Sequence, residues 1–83
     1  MIEGEYIKAL NVACERYHMR LALCIWDKLN YEDKIQVSSD SLDRLMIYHV
    51  MRSQMDRSDK YWEQEVYAIR RIISDQIARE EKK

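Results

Sequence analysis

Few side chains in this 83-residue chain have the type and spacing for chemistry, and the sulfur and imidazole groups come first. Cys14 and His18 stand four residues apart, so on a helix both face one side, a spacing that can hold a metal ion. Cys24 and His49 would be the further ligands. On a continuous helix, however, Cys24 is turned about 80° from Cys14 and lies about three turns along, so both cannot reach one ion. No C-x-x-C or H-E-x-x-H spacing adds support. No metal and no other cofactor is expected, and both cysteines read as reduced, buried thiols. Catalytic patterns are equally sparse. There is no phosphate-binding glycine loop and no G-x-S-x-G elbow. Ser38, Ser39 and Ser41 sit where helix caps belong. Glu63 and Glu65 are two apart and point to different helix faces.

The elements that would position such groups are helices. The chain has one glycine, Gly4, and no proline, so the turn residues that hairpins and sandwiches need are missing. The fold class is all-α: a helical hairpin or three-helix bundle with long helices, in a single domain over residues 1–83. A first helix is expected over about 3–29. Its stripe is Ile7, Leu10, Cys14, Tyr17, Leu21 and Cys24 at spacings of three and four, widened by Leu23, Ile25, Trp26 and Leu29. Residues 30–39 form the connection. A second helix starts near Asp40, with Ser39, Asp40 or Ser41 as its cap.

From Leu42 to Met55 the apolar positions point in every direction, and a helix apolar all round must be covered all round. A third stripe, Trp62, Val66, Ile69, Ile73 and Ile77, precedes a charged tail. At about 100° per residue, Tyr48, Met51, Met55, Trp62, Val66, Ile69 and Ile73 share one sector about 60° wide. That kept phase favours one long helix over 40–80, rather than two joined by a turn capped at Ser58 or Asp59. Such a helix spans about 60 Å and overhangs the first, so a homodimeric bundle is expected.

Charge excludes little and favours little. Fifteen acids face fourteen bases, which gives no general pull toward nucleic acid or an anionic membrane. Residues 1–29 hold four of each, 30–60 hold six acids and five bases, and 61–83 hold five of each. Met1 is followed at once by Glu3 and Glu5, so no signal peptide is expected. The run "LALCIW" is far too short to span a bilayer. A cytoplasmic location follows, with no membrane partner.

Small helical dimers of the chorismate mutase type gather arginines, a lysine and a glutamate in an interior pocket. Arg16, Arg20, Arg44 and Arg52 could be arranged that way, although the family's motif is not matched. A closer likeness lies at residues 34–45. "KIQVSSDSLDRL" resembles the start of a ribbon-helix-helix repressor, in which a short alternating strand pairs across a dimer and enters the major groove. The resemblance implies that Lys34, Gln36 and Ser38 face DNA while Ile35 and Val37 face the core. It covers about a dozen residues. The family's glycine turn between helices is replaced here by "RSQMDRSDK", and the acids Glu32 and Asp33 adjoin the DNA face. The competing reading of the stretch is a loop whose Ile35 and Val37 plug the end of the bundle.

Six tyrosines and two tryptophans, with no phenylalanine, give every aromatic a polar tip suited to a half-buried or partner-facing surface. Tyr48, Met51, Met55, Tyr61, Trp62 and Val66 form the candidate partner-binding set. The expected function is a non-catalytic protein-binding module: an adaptor, chaperone-like subunit or inhibitor of a larger machine. In general style it resembles the accessory proteins of phages and mobile elements. The alternative is the dimeric repressor.

Overall fold

With no proline and a single glycine, Gly4, near the start of the first helix, the chain folds almost wholly into helix. The computed structural model describes residues 3–82, so Met1, Ile2 and Lys83 of the expected 1–83 domain lie outside the described residues. Five helices follow in order: α1 (Glu3–Glu15), α2 (Met19–Lys28), α3 (Tyr31–Ile35), α4 (Ser39–Met55) and α5 (Lys60–Glu81). Among the described residues there is no strand, and no helix is long and apolar enough to cross a membrane.

The expected first helix over 3–29 is broken in the middle. The Tyr17 N–H bonds to the Cys14 carbonyl (3.1 Å) and the His18 N–H to the Ala13 carbonyl (2.9 Å), with Tyr17 at φ 59°. This is a Schellman cap, with tyrosine in the left-handed position that glycine usually fills. A side chain there costs about 1–2 kcal/mol. The break re-phases the apolar stripe. Leu10, Ala13 and Cys14 are buried before it, and Ala22, Ile25 and Trp26 after it. Tyr17 and Leu21, expected inside, are instead 71% and 55% exposed. Cys24 is exposed as well, so only Cys14 is the buried thiol that was expected. Burial pushes the Cys14 thiol up, against the opposing hydrogen bond of Ser41 and the charge of Arg44.

The connection also contains a helix. Asn30 caps α3, its side chain accepting from the Asp33 N–H at 2.9 Å. Ile35 and Val37 point into the core, at 5% and 0% exposure, so they plug the bundle end. Ser38, one residue ahead of the expected caps, caps α4 by accepting from the Ser41 N–H (3.2 Å). The strand required by a DNA-reading ribbon is therefore not formed. Lys34 and Ile35 lie in α3, and Gln36 and Ser38 are caps.

The single 40–80 helix is not formed either. Asp56 ends α4 by donating its N–H to the Arg52 carbonyl (2.9 Å), and its carboxylate accepts from the Ser58 hydroxyl (2.7 Å). Asp59 then caps α5 by accepting from the Tyr61 N–H (3.1 Å). The chain reverses, and α5 packs back along α4. That return buries Val66, Ile69 and Ile72. Each such side chain gains about 1.5–3 kcal/mol, more than the net worth of about 1 kcal/mol for each helix hydrogen bond given up at the turn. The longest dimension is 40 Å. The overhang that called for a second copy is therefore absent.

One core joins residues of all five helices and the α3–α4 link, with Trp26, Leu10, Leu42, Leu45 and Ile69 among its fully buried members. Trp26 donates its indole N–H to Glu65 (3.3 Å), and Lys34 lies over its ring, 4.8 Å from the centroid. The distal half of α5 straps α3 in place. Tyr31 donates to Asp75, Arg79 forks onto Glu32 at 3.1 and 3.3 Å, and the Gln76 amide donates to the carbonyls of Ile35 (2.8 Å) and Val37 (2.7 Å).

These contacts rank the straps. Gln76→Ala leaves two carbonyls unpaired and is expected to cost about 1–2 kcal/mol, whereas Arg79→Ala removes an exposed, solvent-screened pair and is expected to cost less. Urea denaturation of the two variants gives the order; an equal or reversed order would count against the Gln76 strap. The two thiols also separate. A thiol reagent under native conditions is expected to modify Cys24 promptly and Cys14 only after denaturant is added, as mass spectrometry of the labelled peptides would show.

Candidate docking surface

The partner-binding set read from the sequence divides among three places. Val66 is core, 8% exposed. Trp62 is half-buried in an aromatic cluster across the α4–α5 hairpin, with its ring centroid 6.1 Å from Tyr48, 5.4 Å from His49 and 5.1 Å from Tyr61. The Arg52 guanidinium covers the Trp62 ring at 4.8 Å. Residues brought together by chain reversal thus hold the hairpin rather than extend a helical stripe. His49 is fully buried. Its Nδ1 lies 2.6 Å from the Leu45 carbonyl, so that nitrogen carries the proton and donates. The other ring nitrogen, Nε2, has no hydrogen-bond partner.

Tyr61, at the rim of this cluster, has its phenol pushed up to about 12 by burial first, then by the charges of Asp27 and Glu65. It donates to Asp27 at 3.4 Å.

Met51 and Met55 behave differently. They lie on the outer face of α4, 55% and 76% exposed, beside Ile47 at 57%. Leu42, Leu45 and His49 occupy the opposite, buried face. Between the outer face and the α1–α2 corner runs an open groove of about 400 Å³, lined by Tyr17, Met19, Arg44, Ile47, Tyr48 and Met51. Arg44 is fixed there, donating to the Cys14 carbonyl at 3.2 Å and stacking over the Tyr17 ring at 5.0 Å. A second groove, about 510 Å³, lies on the other side of the corner and includes Lys8, Val12, Arg16, His18 and Leu21. Sequence reading missed Tyr17, Met19, Arg44 and Ile47 as a group. Tyr17 looked like core, and no local pattern announces a cap that lacks glycine.

The other candidate residues are dispersed or occupied. Cys14 is buried and His18 exposed on separate sides of the helix break, and among the described residues no three metal-binding side chains gather. Arg16, Arg20 and Arg52 are exposed, and Arg44 serves the groove, so the four do not share an interior pocket. Lys34 covers Trp26, and the Gln36 amide donates to the Glu32 carbonyl (3.4 Å). In a polar pocket of about 260 Å³ at the α4–α5 turn, lined by Arg57, Asp59, Lys60 and Glu63 among others, Asp59 caps α5 and Lys60 pairs with Glu63 at 3.8 Å.

What the surface offers chemically is apolar contact beside fixed positive charge. No family model, curated protein or solved structure matches the chain.

The hairpin cluster has a titration signature. A phenol raised in the fold favours the neutral form, so its share of stability is complete below the ordinary tyrosine value near pH 10 and is lost as pH rises through about 12. Absorbance titration near 295 nm is expected to show a late tyrosine ionisation at about pH 12. Tyr61→Phe should remove that late step; a late step that survives would place the delay on another tyrosine.

Proposed function

We propose that this chain is a non-catalytic protein-binding module that docks a partner on the groove between α4 and the α1–α2 corner. The observation that carries the reading is Tyr17. It is held at φ 59° in a cap position where glycine would relieve strain, yet 71% of it faces solvent, where its own burial adds little. Strain kept at an exposed side chain points to use of that side chain. Around it stand Met19, Ile47 and Met51, adaptable apolar groups of the kind that partner surfaces employ. Arg44 supplies a pre-positioned charge, and arginine beside aromatic rings is typical of interface anchors. An adaptor, a chaperone-like subunit or an inhibitor of a larger machine would each use such a face. The exposed free thiol of Cys24 suits a reducing, cytosolic setting.

Two substitutions test the reading. Met51→Asp changes an exposed residue and is expected to leave the melting temperature nearly unchanged while cutting partner binding at least tenfold. Tyr17→Gly should hold or raise stability, by up to about 1 kcal/mol, and still weaken binding. The assay is photo-cross-linking in the native lysate, with nuclease present, from a reactive side chain placed at Met51 or at the exposed control Arg70. Adducts at the first site alone, competed by added wild-type chain but not by Met51→Asp chain, are the expected result. Adducts at both sites alike, or at neither, would defeat the proposal. A cross-link only to a second copy would make the surface a homodimer interface instead.

A further inference from the structure

Resting on that protein-binding reading, we infer that the two grooves form one track for an amphipathic helix with acidic flanks, supplied by another protein. The grooves flank the α1–α2 corner: Arg16 and His18 line one, and their neighbours in sequence, Tyr17 and Met19, line the other. All the charge lining them is of one kind. Lys8, Arg16 and Arg44 are cationic, and neither lining includes a carboxylate. In a chain with more acids than bases, this is a sorting in space that composition conceals. The acids next to these cations in sequence, Glu15 and Asp43, line neither groove.

Each feature narrows the occupant. Ile47 and Met51, four residues apart on α4, with Tyr17 across the groove, offer apolar contacts on the scale that the i, i+3, i+4, i+7 face of a docked helix fills. The cations at the edges complement glutamates or aspartates flanking such a stripe, which gives speed and selectivity of encounter. A nucleic-acid backbone would answer the cations but leave Tyr17, Ile47 and Met51 against phosphate. A second copy laid antiparallel on α4 is disfavoured by charge. In a two-fold contact of that kind each edge of the helix meets its own counterpart, and the edge carrying Arg44 and Arg52 would face itself. An acidic helix from a different protein satisfies both the apolar and the charged parts of the track.

The test is a helical peptide display library with apolar residues fixed at i, i+3, i+4 and i+7 and all other positions free, panned against the full chain. Selected peptides are then measured by fluorescence anisotropy against wild type and three variants at exposed positions: Met51→Asp, Lys8→Glu and Arg16→Glu. Expected are peptides with a net negative charge that bind at least tenfold tighter than their Glu-to-Lys versions. They should lose at least tenfold on Met51→Asp and severalfold on either charge reversal, and weaken as salt is raised. Peptides that depend on Met51 but show no acidic bias would overturn this inference and leave the protein-binding reading standing. Selection of nothing that depends on Met51 would overturn both. Displacement of the peptides by duplex DNA or by phosphatidylserine vesicles at matched charge concentration would overturn the helix in favour of a general polyanion surface.

Discussion

The reversal of the chain between Met55 and Lys60 is the constraint on which the rest depends. It is built from short polar side chains rather than glycine. Asp56 accepts from the Ser58 hydroxyl, which holds its carboxyl below the usual range, and Asp59 caps the next helix. Once the chain turns back, Trp62 meets Tyr48 and His49, and Val66, Ile69 and Ile72 reach the core. The far end of α5 then arrives beside α3, where Gln76 pairs the carbonyls of Ile35 and Val37. With α5 covering one side of α4 and α1 and α2 another, the face carrying Ile47 and Met51 is left bare.

Periodicity made much of the fold legible and concealed two features. The missing proline and single glycine correctly indicate helices, and the stripe through Val66 and Ile69 correctly locates the inner face of α5. Ile35 and Val37 are core, as their setting between two helices suggests. The phase kept from Tyr48 to Ile73, however, is compatible with two folded-back helices as well as with one straight one. Both arms of a hairpin need an inward stripe, and the angle between stripes across a turn carries no information. The break at Tyr17 was hidden for another reason. A left-handed cap without glycine is a local cost tolerated by tertiary packing, so it leaves no compositional mark. Because the stripe was extended through it, Leu21 and Cys24 were read on the wrong side.

The candidate surface was only half legible for the same reason. Met51 and Met55 were recognisable as an unpartnered apolar pair, since α4 has more apolar positions than its neighbours can cover. Trp62 and Val66 joined them under the straight-helix phase and Tyr61 as an aromatic neighbour, and the turn removes all three to the hairpin cluster and core. Arg44 is far in sequence from Tyr17 and Met19, and only the packing of α4 beside the α1–α2 corner brings them together. Charge shows this most clearly. Residues 1–29, 30–60 and 61–83 are each within one charge of balance, yet the two groove linings hold Lys8, Arg16 and Arg44 and no carboxylate.

Core packing and the bare apolar stripe are thereby separated on α4 itself. Leu42, Leu45 and His49 face inward at full burial, while Ile47 and Met51 face outward at more than half exposure. Substitutions on the outer stripe remove no core contact, so their stability effects should be small. The separation is less complete at the corner. Arg44 is bound to the Cys14 carbonyl and also stacks on Tyr17, so one guanidinium both ties α4 to α1 and fixes charge at the groove. A partner docking there would meet groups already ordered by the fold, and pre-ordered groups lose less entropy on association. The strained Tyr17 cap fits that economy: the cost of placing the ring is met during folding, not at the moment of binding.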